Sequence, residues 1–117
     1  MITATEAKRN IEGDPKWWKI HLLDFVDDFR DHKNAAAIAE PFELNDERID
    51  AVLASVIETL CDELGMEIPD WLCKIPPCRE PYFMSGMENL KAMSLVQTPV
   101  RFRLRKIFVL ENALHRV

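Results

Sequence analysis

Asn45-Asp46-Glu47-Arg48-Ile49-Asp50-Ala51-Val52-Leu53-Ala54-Ser55-Val56-Ile57-Glu58-Thr59-Leu60-Cys61-Asp62-Glu63-Leu64-Gly65 is the stretch whose pattern decides the fold. Ile49, Val52, Leu53, Val56, Ile57, Leu60 and Leu64 recur at helical spacing and form one broad apolar stripe. Asn45 and Asp46 offer side-chain oxygens to the first free backbone N–H groups. Gly65 stands where a helix end favours a left-handed residue. Such a run of large aliphatics cannot remain in water, so this helix is expected to form the centre of the core.

On the N-terminal side, Ile2 to Glu12 reads as a weaker helix that stops at Gly13. Asp14-Pro15 then looks like a helix start, a cap carboxylate followed by proline in the first turn. Trp18, Leu22, Phe25 and Phe29, with His21 and Val26 beside them, mark an amphipathic helix ending near His32 to Asn34. Ala35 to Glu40 adds a short helical turn before Pro41.

On the other side, Met66 to Phe83 holds four of the seven prolines and is read as a connector pinned by Trp71, Leu72, Tyr82 and Phe83. Ser85 can cap a helix reaching about Gln97. Thr98-Pro99 restarts the chain. Val100, Phe102 and Leu104 alternate with Arg101, Arg103 and Arg105, the period of a half-buried strand. A helix started by Pro99 would instead bring Arg101 and Arg105 together and send Arg103 away. The preferred reading is a short helix, then an extended Ile107-Phe108-Val109, with a turn or frayed helix from Glu111 to Val117. One short extended segment cannot build a sheet. The expected fold class is therefore mainly α: a single-domain compact helical bundle over residues 1–117, with a Pro-rich connector and at most one short extended segment near the C-terminus.

Composition bounds what such a fold does. The 117 residues are 48% hydrophobic and 30% charged, the balance of a globular chain rather than a disordered one. A chain of this size buries roughly two-thirds of its unfolded surface. The net charge of −5 argues against a dedicated DNA-binding module. No run approaches the ~20 apolar residues of a membrane span, and Met1 to Lys16 lacks a signal-peptide layout. The expected location is the cytoplasm.

Few residues offer chemistry. Asp24, Asp27, Asp28 and Asp31 share the polar side of the second helix, with His32 four residues beyond Asp28. No Glu-x-x-His or His-Glu-x-x-His pattern accompanies them, so they read as a solvated face rather than a metal site. Cys61, Cys73 and Cys78 lack zinc-ligand spacing, and their odd number suits reduced thiols. Ser55, Ser85 and Ser94 lack a nucleophile elbow, and no glycine-rich phosphate loop exists. His21 beside the aromatic stripe reads as a packed or capping residue. No catalytic, cofactor-binding or metal-ligating residues are expected, and no enzyme.

The basic run Arg101, Arg103, Arg105, Lys106 is the more informative feature. Thr98 to Val117 carries a net +4, which leaves −9 on the rest of the chain. Arginine forks suit carboxylates, phosphates and aromatic faces. Either the aspartate face of the same chain or an acidic partner could receive them; nucleic acid is the alternative ligand. Trp17 and Trp18 lie about 100° apart on a helix, so at least one is peripheral, and tryptophan and arginine dominate binding hot spots. The residues expected at a partner contact are Trp17, Arg101, Phe102, Arg103 and Arg105. Within the run, Arg103 and Arg105 are expected to hold the fold and Arg101 to stand free. The partner is expected to be another protein; a homo-oligomer is compatible with the sequence.

A family resemblance supports that choice. Asn45 to Leu53, Ile68-Pro69-Asp70-Trp71, Pro81-Tyr82-Phe83, Glu88-Asn89-Leu90-Lys91-Ala92, Thr98-Pro99-Val100-Arg101-Phe102-Arg103-Leu104-Arg105-Lys106-Ile107-Phe108-Val109 and Leu114-His115-Arg116-Val117 occur in that order. Over Glu40 to Val117 the chain resembles the C-terminal region of small bacterial proteins encoded beside nucleotidyltransferase-type toxins, some of which are the antitoxins of those pairs. Antitoxins of this kind often carry an N-terminal helix-turn-helix. Residues 1–40 are too short for one. The resemblance implies a non-enzymatic, antitoxin-like protein that binds a toxin rather than an operator.

Overall fold

The computed structural model describes residues 1–84, 95, 97–109 and 114. At its centre is the helix of the quoted stretch, Glu47–Leu64, here called α3. Asp46 caps it, its Oδ1 accepting the N–H groups of Arg48 and Ile49 at 3.1 Å each. Gly65, at φ +67°, closes it: the Met66 N–H reaches back to the Cys61 carbonyl at 2.9 Å, a left-handed exit that costs glycine little. Every residue from Ala51 to Glu58 is buried, as are Leu60 and Cys61. The helix is thus enclosed on all sides through its middle, with Ile49 and Leu64 half-buried at its ends.

Two N-terminal helices cover it. In α1 (Ala4–Gly13), Thr3 caps the first turn through the Glu6 N–H (3.1 Å), and Ala4, Ala7 and Ile11 face inward. The backbone N–H of Ile2 donates to Asp28 Oδ2 at 2.6 Å, fastening the start of the chain to the next helix. That helix, α2 (Trp18–His32), buries Leu22, Phe25, Val26 and Phe29 as the periodicity predicts. Its start differs from expectation. Pro15–Trp17 form a single 3-10 turn, and Asp14 makes no side-chain cap; its carboxylate lies 3.0 Å from His21 Nε2 instead. Ala35–Ile38 are a second 3-10 turn, capped by Asn34.

The connector is pinned as expected, by a 3-10 turn at Asp70–Lys74 that buries Leu72. The Trp71 indole donates to the Ile38 carbonyl at 3.0 Å and meets Phe42 edge-on. Beyond it the chain forms a two-residue strand, β1 (Tyr82–Phe83). Pro99 starts a short helix, α4 (Val100–Leu104), and β2 (Ile107–Phe108) follows. The two strands are parallel, with Tyr82 N–H donating to Lys106 and Met84 N–H to Phe108. The expected limit of one extended segment is corrected here: Ile107-Phe108 is extended, and it has a partner in the connector. Two-residue strands carry too little alternation to be read from sequence. The molecule is otherwise mainly α and compact, with a radius of gyration of 13.3 Å, close to the ~13 Å of a compact chain this long.

Of the helix expected from Ser85 to Gln97, only Leu95 and Gln97 fall among the described residues, both helical. Of Glu111 to Val117, only Leu114 does, and it is buried. No helix among the described residues is long and apolar enough to cross a membrane.

Candidate partner-binding surface

Pro99 sets the phase of α4, and that phase sends the three arginines to different places. Arg101 and Arg105, four positions apart, turn toward Glu58 and Asp62, which are four apart on α3. Arg101 grips Asp62 through Nε (2.8 Å) and Nη2 (3.2 Å) and places Nη1 4.0 Å from Glu58. The pairing with Asp62 holds its guanidinium pKa above the ordinary value. Arg101 is therefore not free, which corrects the expectation.

Arg105 is buried. It forms a short ion pair with Glu58 and donates to the carbonyls of Leu72 (2.8 Å) and Ile75 (3.3 Å). One side chain thus joins α3, the connector and the end of α4, in the structural role expected of it. As a partner-contact residue it is corrected: it has almost no surface. Phe102 is corrected likewise, since it is fully buried in the core. A helical phase with Arg101 and Arg105 inward carries Phe102 inward as well.

Arg103 is on the outside. Its Nη2 donates to the carbonyls of Thr98 (3.0 Å) and Leu95 (3.5 Å), leaving Nε and Nη1 without a partner among the described residues. Val100 and Leu104, one turn apart on the same helix, are 61% and 68% exposed, and Leu95 is also exposed. Leu95, Val100 and Leu104 are thus exposed aliphatics, with Arg103 bonded to the Leu95 carbonyl beside them. Thr98 fixes this segment from below, its hydroxyl bonding both the carbonyl and the N–H of Val109 at 3.0 Å.

Trp17 is the exposed member of the tryptophan pair, on the 3-10 turn before α2, with the Lys16 ammonium 5.4 Å from its ring centroid. Trp18 packs partly against the core. Beside them is a cleft of about 420 Å3 at the junction of α1, that turn and α3, lined by Ile11, Pro15, Trp18 and Ile49 with Glu12 and Asp46.

The carboxylates that Arg101 and Arg105 reach lie on α3 rather than in the aspartate stripe of α2. Within that stripe, Asp28 receives Ile2, and His32 Nδ1 lies 3.4 Å from Asp28 Oδ1. No group of three metal-binding side chains occurs among the described residues. Burial pushes the Cys61 thiol up to about 11 and raises that of Cys78, whereas Cys73 is exposed. A thiol so raised is a poor nucleophile at neutral pH. Ser55 Oγ is occupied by the Ala51 carbonyl at 2.7 Å; Ser85 and Ser94 lie outside the described residues.

Sequence reasoning missed the buried charges that position these surfaces. Lys8, buried in α1, pairs with Asp50 and with Glu12 (3.1 Å) and donates to the Glu43 carbonyl at 2.6 Å. Asp50 in turn accepts the N–H groups of Asn45 and Asp46 at 3.0 Å each. The available signal was an acid, Asp50 or Glu58, standing inside an apolar run.

Comparison of the chain with protein-family models, with curated proteins and with solved structures gave no match.

Proposed function

We propose that this chain is a non-enzymatic, cytoplasmic protein-binding protein, antitoxin-like, whose partner is a nucleotidyltransferase-type toxin and whose contact surface is α4. The observation that carries the reading is the pair Val100 and Leu104, both more than half exposed on a helix whose inner side is locked by Phe102, Arg101 and Arg105. Exposed aliphatics on a rigid support, with an arginine at the rim, are the makings of an interface core and its edge. Among the described residues Arg103 keeps two donor groups for a carboxylate, so the partner surface is apolar with an acid at its margin. The resemblance over Glu40 to Val117 names the partner class.

The nucleic-acid alternative loses support from the same geometry. With Arg105 buried and Arg101 spent on Asp62, the basic run offers phosphate only Arg103 and Lys106. Co-expression with the product of the adjacent gene tests the proposal. Wild type should co-purify with it as a stoichiometric complex, and Leu104→Asp and Arg103→Glu should each abolish or severely weaken that complex, Leu104→Asp without lowering the melting temperature because the position is exposed. Absence of a complex, or one indifferent to both substitutions, overturns the reading.

A further inference from the structure

We infer that the protein self-associates about a two-fold axis by mutual insertion of Trp17 into the cleft beside Trp18. Trp17 is 51% exposed, yet its backbone is held by a 3-10 turn that opens with proline. It is a large apolar group on a stiff support, which loses little freedom when covered. The cleft supplies what such a group needs: Ile11, Pro15 and Ile49 as aliphatic walls and Trp18 as an aromatic one. Trp18 belongs at once to this cleft and to the surface around Lys16, Trp17 and Lys19. Knob and hole therefore share one face. That is the condition for an isologous contact, in which each copy gives the other what it receives.

Charge selects a second copy over other occupants. The segment Pro15 to Ile20 carries Lys16 and Lys19 and no acid, within a chain of net charge −5. The cleft carries Glu12, which also pairs with Lys8, and Asp46, both exposed. Lys19 is engaged with the Met84 carbonyl at 3.0 Å, but among the described residues Lys16 meets only the Trp17 ring. Asp46 uses Oδ1 for its cap, and among the described residues its Oδ2 has no partner. As Trp17 enters the opposite cleft, it brings Lys16 to carboxylates of the other copy, twice over by symmetry. This contact uses no residue of the α4 surface, so it stands or falls apart from the proposed function.

Sedimentation velocity on the purified chain, from low micromolar to near-millimolar loading, tests it. The expected result is a monomer–dimer equilibrium accompanied by a blue shift of tryptophan emission as concentration rises. Trp17→Ala should weaken the dimer about thirtyfold, the loss of one hot-spot residue, and abolish the shift. Lys16→Glu should weaken it too, whereas Trp17→Phe should retain most of it. At the lowest concentration, where wild type is monomeric, all three variants should melt close to it, because the substituted positions are exposed. A monomer throughout the range, or a dimer that Trp17→Ala leaves equally tight, overturns the inference. So does a dimer broken by Leu104→Asp but not by Trp17→Ala.

Discussion

Glu58 and Arg105, 47 residues apart in sequence, meet as an ion pair inside the core, and two backbone carbonyls take the remaining direction of the guanidinium. The pair is satisfied on both sides, so removing one member leaves a buried charge with no counterpart. Arg105→Ala should cost about 3–5 kcal/mol, a large part of the stability of a domain this size. Glu58→Gln should cost less, since it keeps an acceptor for Arg105. Equilibrium urea denaturation of both variants checks the order. A loss below about 1 kcal/mol for Arg105→Ala would show that water enters and resolvates the site.

The centre of α3 should tolerate no charge. Ile57 is fully buried, and Ile57→Asp places an unpaired carboxylate among aliphatics, at a cost of several kcal/mol. The variant should fail to melt cooperatively in a calorimeter. Leu53→Ala, which only opens a cavity, should remain folded with a loss of about 2–5 kcal/mol.

The exit of α3 makes a smaller prediction. Gly65 sits at φ +67° with open space where a Cβ would lie. Gly65→Ala should therefore destabilise by about 1 kcal/mol through backbone conformation alone. Gly65→Asn, which adopts the left-handed region more readily, should lose less. Thermal melts of the two variants give the comparison.

Thiol chemistry should distinguish the three cysteines. In native protein at mildly alkaline pH a disulfide reagent should titrate Cys73 rapidly, while Cys61 and Cys78 react only after unfolding. Fast modification of Cys61 would contradict its place in the core.

The same thiol ties stability to pH. Burial raises the Cys61 pKa from 9.0 in the ordinary thiol to about 11 in the fold, so above 9 the unfolded chain gives up a proton that the native one keeps. Stability linked to this group is complete below the lower value and declines as pH rises toward the upper. Cys61→Ala should flatten that part of the alkaline stability curve, measured by urea midpoints across the window.

The N-cap at Asp46, the left-handed Gly65 and the stripe between them were legible because each is a local rule, and α3 obeys all three. The phase of α4 was legible for the same reason: a proline start fixes which residues share a face, and Arg101 and Arg105 do. What escaped is non-local. Asp14 has every local mark of a cap, but His21 claims its carboxylate from within α2. The destination of Arg101 depended on Asp62, 39 residues away. The pairing of Tyr82 with Ile107 depended on chain closure rather than on any pattern within either segment. Lys8, a buried lysine, is intelligible only once Asp50 and the Glu43 carbonyl stand around it.

The clamp of Arg105 on Glu58 also bears on biosynthesis. At translation rates of ~5–20 residues per second, the 47 elongation steps from Glu58 to Arg105 take roughly 2–9 s. Throughout that interval the nascent α3 holds an acid at a core position with nothing to neutralise it, and the aliphatic side chains around it lack the lid that α4 provides. Codon usage or stalling that lengthens the interval should raise the dependence of the newborn chain on chaperones, and a ribosome halted before Arg105 should release a fragment that proteases clear.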